Sequence, residues 1–411
     1  MRNIVLVFLV LFTYHVSAQE LIRFSVENTD VNCPVSICLK GLDYNTDNAQ
    51  LALFELINGE EYPVGSQIDP GHSAKLWFIL SVSENNDKTR KFVIRKGSQV
   101  MISNKVRIKK DDQDLSLSYK GKQILSYRHA VTLPPKEADP IYKRSAYIHP
   151  LVSPEGQVLT RIQPQDHYHH YGIWAPWTKT HIEGREVDFW NLIKGQGTVK
   201  FAGFISETEG DVFSGFKAHQ QHIDFGAKGA DQIAINEVLD VRAWNIDAKV
   251  WLLDYTVNLN SPLDSGIMLD AYRYGGGIGY RAIEKWTKDN CSVLASEGKT
   301  RKDADGSNAR WCVVEGESDT KSGRSGILFM SYPANRMHPE PMRIWPLNAN
   351  RGRGDMYFEF CPIRHNSWEI EKGKDYTLKY RLLIFDGEIT KEKAEKYWQA
   401  FAKSPQITMK K

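Results

Sequence analysis

Apolar and polar residues alternate with a period of two along much of the chain. Trp251, Leu253, Tyr255, Val257 and Leu259 share one face of one run, and Tyr376, Leu378, Tyr380, Leu382 and Ile384 share one face of another. That is the spacing of half-buried strands. Between residues 21 and 100 shorter β-rich runs recur, RFSVE, VSICLKG, LALFELI, KLWFILSVS and KFVIRKG, with turn signals at Asn58-Gly59, Pro70-Gly71 and Asn85-Asn86. Helical spacing is convincing only near the C-terminus, where Ala394, Tyr397, Trp398 and Phe401 follow Thr390, a residue suited to capping. No βα alternation occurs. The pattern predicts an all-β chain: a small accessory β-sandwich over residues 19–106, then a large antiparallel β-sandwich over residues 107–411 that carries the chemistry and ends in one helix.

Composition narrows this further. With 411 residues, 41% hydrophobic and 25% charged, the chain is rich enough to bury full cores, which excludes disorder. Its net charge of +3, without a block of like charges, argues against nucleic acid as a partner. Residues 1–18 read as a signal peptide, with Arg2, an apolar run over 4–12 and small residues at Val16-Ser17-Ala18. The mature chain is then expected to start near Gln19, in the periplasm or outside the cell. No later stretch has the roughly 20 apolar residues of a membrane span. In an oxidising compartment Cys33 with Cys38, or Cys291 with Cys312, are the natural pairs, Cys361 being left over; spacing alone does not fix the connectivity.

The chemistry concentrates in Asp166-His167-Tyr168-His169-His170-Tyr171-Gly172-Ile173-Trp174. Of twelve histidines, five (His149, His167, His169, His170, His181) fall in this neighbourhood. In a strand, His167 and His169 would face away from His170; in a loop all three converge. Imidazoles titrate near pH 6.5, so the cluster suits acid-base work. No cofactor is required. A divalent metal is an option, with Asp166, His167 and His169 as part of its ligand set. Trp174, Trp177 and Trp190 offer flat faces to a sugar ring. The run Tyr272-Arg273-Tyr274-Gly275-Gly276-Gly277 through Arg281 lacks the G-x-G-x-x-G pattern and instead brings Tyr272, Arg273 and Arg281 to a strand end. Arg336, Arg343, Arg351 and Arg353 add forks suited to a carboxylate or sulfate. Nucleophile elbows, P-loops and H-E-x-x-H are absent from the sequence.

Tyr147-Ile148-His149-Pro150-Leu151, Ser153-Pro154-Glu155-Gly156, the D-H-x-H-H-x-G motif, Tyr274-Gly275-Gly276 and Tyr380-Arg381-Leu382 together resemble a bacterial family commonly labelled methane oxygenase PmoA-like. The resemblance covers roughly residues 107–400. Oxygenase chemistry is set aside, because the true oxygenase subunit is an integral membrane protein. The resemblance implies an exported carbohydrate-active protein with a mutarotase- or lyase-like supersandwich. One branch is similar to dehydratases of ulvan oligosaccharides. On that reading the partner is an anionic oligosaccharide and water leaves a terminal uronic acid. His167, His169, His170 and Tyr272 then move protons, while His149, Trp174, Trp190, Arg273, Arg281 and Arg343 bind the substrate. An epimerase or mutarotase, a glycoside hydrolase with paired carboxylates and a non-catalytic sugar-binding protein are the competing readings.

Overall fold

A computed structural model describes residues 19–40, 51–70, 73–83, 87–98, 105–226 and 229–410. The expected signal peptide, the Asn85-Asn86 turn and Gly71 lie outside the described residues. Strand accounts for 51% and helix for 5%, which makes the chain all-β.

The small N-terminal part is two facing sheets. Five strands run in the order Ile407–Lys410, Glu20–Glu27, Thr89–Lys96, Leu51–Ile57, Glu60–Val64; three run Cys33–Cys38, Lys75–Leu80, Ser66–Asp69. Phe24, Val35, Leu53, Phe78 and Phe92 fill the space between them. Two of these strands, EEYPV and SQID, are short, polar and lie at sheet edges, so hydrophobic alternation does not mark them. The last strand comes from the far end of the chain: Val26 pairs with Ile407 and Arg23 with Lys410.

The rest is a nine-stranded sheet over an eight-stranded one, with a four-stranded sheet beside them. The eight-stranded sheet rests on the long alternating runs, Val250–Asn260 lying between Gln232–Trp244 and Tyr376–Asp386. Alternation sends Leu253, Tyr255, Val257 and Leu382 into the core between the large sheets. Leu252 and Leu383 point the other way, beneath the helix Lys391–Ala402. The Thr390 side chain accepts from the Lys393 N–H and caps that helix, and Ala394, Tyr397 and Phe401 are its buried face. No helix among the described residues is long and apolar enough to cross a membrane.

All five cysteines are free thiols, which corrects the expected pairs. Cys33 and Cys38 end one strand with opposite exposures, one buried and one exposed. Cys291 lies opposite Gly316 in the sheet, and Cys312 opposite Ala295, so the two are out of register.

Candidate active site

The site is built on the outer face of the nine-stranded sheet. Ile173, Tyr280, Phe358 and Ile344 lie side by side across four strands and point into the core. Alternation therefore turns their neighbours outward: Trp174, Arg281, Tyr357, Glu359 and Arg343, with Arg281 opposite Tyr357 and Arg343 opposite Glu359. Gly279 lies between Trp174 and Glu359 in this array; a Cβ there would come within 2.9 Å of Pro176 and 3.1 Å of the Tyr357 hydroxyl.

Over this face folds the histidine segment, which is a loop. Its backbone turns on itself through His167 N–H to Pro164 C=O, His170 N–H to His167 C=O and Gln163 N–H to His170 C=O. The three imidazoles consequently converge, with ring centroids 4.8 to 5.5 Å apart. His167 and His169 are half-buried, whereas His170 is completely covered. Trp345 touches His167 and His170, Trp190 touches His169 and His170, and Tyr357 floors the group at 5.3 Å from His170.

Each histidine has a different environment. His167 Nδ1 lies 2.8 Å from the Asp166 carboxylate, which turns its Nε2 outward. Burial raises the Asp166 carboxyl, but the hydrogen bond from His167 and the charges of Arg281 and Arg161 outweigh it and hold it well below the carboxylate range. His169 is pushed down to about 3 by burial and by its cationic neighbours. His170 is driven well below 6.5 for the same reasons, and neither of its ring nitrogens has a partner. A neutral imidazole keeps one N–H, so His170 holds an unsatisfied buried donor.

Tyr274 completes the cluster. Its hydroxyl oxygen accepts from Arg343 Nη2 at 2.9 Å and from Trp345 Nε1 at 3.1 Å, so its own O–H is left to donate elsewhere. Arg343 also binds Asp305. Arg281 is fully buried over Trp345, at 4.6 Å, with Nη2 on Asp355 at 2.6 Å and Asp166 at 3.2 Å, while Nε and Nη1 have no partner. Burial and Arg161 push it down to about 10, where it stays charged at neutral pH. Glu359 ties the floor to the loop, accepting from the Tyr357 hydroxyl at 2.6 Å and the Gly275 N–H at 2.5 Å. Burial pushes that carboxyl up to about 8. Gly276 fits only because it lacks a side chain, since a Cβ would overlap the Phe360 carbonyl.

Over residues 114–399 the chain matches the model of a family of unknown function, DUF6807. The chain belongs to this family. Its match takes in the histidine loop, the glycine run and the arginine segment alike. No curated protein matches the chain. Among solved structures it is similar to a protein in the glycosyl hydrolase family 38 from Enterococcus faecalis, with a TM-score of 0.45 and 9% identity. That likeness covers 95% of this chain and 47% of the other, so the chain spans about half the length of that structure.

In this family member, His167, His169, His170, Trp174, Trp190, Arg281 and Arg343 come together. Trp174 and Trp190 are 1% and 5% exposed, so they are packed into the cluster and leave no open face for a sugar ring. Trp190 instead donates from Nε1 to the His169 carbonyl. His149 stands apart, bonded through Nδ1 to Thr160 and pushed down to about 4 by burial. Tyr272 and Arg273 sit at the rim, Tyr272 at 5.9 Å from the Tyr274 ring. Asp166 faces His167 and Arg281, and no group of three or more His, Cys, Asp or Glu side chains among the described residues is arranged to hold a metal ion. Arg353 binds Glu284 and Asp355, and Arg336 donates to the Ser367 carbonyl, both away from the histidines. Tyr274, Trp345, Asp355 and Tyr357 were missed from sequence. Only Tyr274 had a signal there, as the neighbour of the first glycine.

Proposed function

We propose that the chain is an exported enzyme that removes water from the terminal uronic acid of anionic oligosaccharides of the ulvan type, leaving an unsaturated uronate. The observation that carries this reading is Trp345, which contacts the His167 ring at 4.8 Å and donates to the Tyr274 hydroxyl at 3.1 Å. It brings an aspartate-held base and a phenolic acid to one small space. His167 Nε2 takes the proton from the carbon bearing the carboxylate. Arg343 stabilises the enolate that forms, and the buried Arg281 and His170 add their charge and dipole from beneath it. Tyr274 gives its proton to the departing hydroxyl on the next carbon, and Arg343 steadies the phenolate until His167 returns a proton through water. The balance is one substrate giving one unsaturated product and one water.

A glycosidase arrangement is less well supported. Asp166 and Asp355 are both held on the same Arg281 nitrogen, and Asp355 is 2% exposed, so neither is placed to protonate a leaving group.

The test is to incubate the purified chain with uronic-acid oligosaccharides, ulvan fragments included. The expected result is rising ultraviolet absorbance of an unsaturated uronate with loss of one water and no shortening. Shortened products would replace the proposal with a chain-cleaving lyase or a hydrolase; solvent deuterium entering a product of unchanged composition would replace it with an epimerase.

A further inference from the structure

Almost every cation near the site is matched by an acid. Arg161, Arg281 and Arg353 share Asp355, Arg343 and Arg364 share Asp305, and Lys194 is held by Glu186 and Asp188. Lys179 and Arg273 differ. Among the described residues neither side chain makes an ion pair or a hydrogen bond, and Lys179 reaches Glu186 only at longer range; both lie over the Tyr272 ring, at 5.9 and 6.0 Å, and Arg273 also over Tyr274 at 5.4 Å. The acids closest to the pair are engaged elsewhere, Asp270 by His181 and Glu186 by Lys194. Two like charges gathered on one ring repel, and an anion between them reverses the sign of that interaction.

We propose that Lys179 and Arg273, both gathered at the Tyr272 ring, form an anion subsite beside the reacting position. It takes the sulfate ester or carboxylate of the sugar next to the one that loses water. The placement follows from Tyr272 lying 5.9 Å from Tyr274, roughly one sugar ring outward from the Arg343-held hydroxyl. This rests on the proposed reaction, but its binding test does not need turnover.

Calorimetric titration of the full chain with a sulfated uronic-acid oligosaccharide, its desulfated form and its carboxyl-reduced form tests the subsite and separates the two anion sources. In the Lys179→Ala, Arg273→Ala double variant, affinity for the anionic ligand falls about tenfold or more and its salt dependence flattens, while the ligand stripped of the recognised group binds as it does to the unaltered protein. Where turnover is measured, the loss appears in KM rather than kcat. Equal weakening for every ligand, or none, overturns the subsite. Charge-dependent binding that the double variant loses, without elimination on any substrate, keeps the subsite and overturns the reaction alone.

Discussion

Two fully buried histidines lie in this molecule under opposite circumstances. His222 sits between the two large sheets, and its Nε2 is 2.7 Å from Glu237 on the neighbouring strand. His170 is equally covered, yet neither nitrogen has a partner, and the side chains around it are aromatic rings rather than acids. Beside His170 lie the half-buried His167 and His169, and beside His222 lies the Phe189 ring. The first histidine is held by a hydrogen bond within the fold, and the second is not. Burial therefore does not separate these two histidines, whereas their unpartnered nitrogens do: Nδ1 alone in His222, both in His170.

The contrast is broken most directly by kinetics. His167→Ala should lower kcat by about 10²- to 10⁴-fold on uronic-acid oligosaccharides, with unchanged circular dichroism. Tyr274→Phe keeps the ring that packs against Trp190 and Tyr357 but removes the proton donor, and a loss of about 10²-fold in kcat is expected. A wild-type rate in either variant would move the chemistry away from this cluster.

Stability sharpens it from the other side. His222→Leu leaves Glu237 buried without its partner and should cost about 3 kcal/mol in urea unfolding. Acid acts on two half-buried histidines. His149 and His169 bind protons only near pH 4 and 3 when folded, against about 6.5 when unfolded. Stability is therefore full above pH 6.5 and is lost as the pH falls below it, by about 2 kcal/mol per group at pH 5; unfolding curves at pH 7, 6 and 5 check the slope. The smallest change in stability is expected for His170→Phe. It gives up no hydrogen bond, so unfolding should shift by no more than about 1 kcal/mol while activity is lost.

Much of the fold was legible because its signals are local. The runs ending at Leu259 and Ile384 alternate cleanly and pair as neighbours, Tyr255 opposite Tyr380, and Thr390 marks the helix start. The histidine loop was legible for the same reason, since its members are contiguous in sequence. The rest of the cluster was not. Trp345 and Tyr357 meet the histidine rings, and Tyr274 and Asp355 meet Arg343 and Arg281, only because pairings between strands far apart in sequence bring their segments together, and no spacing rule encodes register. Trp174 and Trp190 show the converse: their clustering was visible, but not that a strand would bury the one and a bend the other.

The strand Ile407–Lys410 closes the sheet that Glu20–Glu27 opens. During synthesis that first strand waits for a partner made almost the whole length of the chain later, so the small sandwich is completed after the large one has been translated. It works as a clasp that fastens last, and a contact of such sequence separation is expected to form slowly. With both strands side by side, joining them by a short linker and opening the chain elsewhere should give a permuted protein whose clasp forms early.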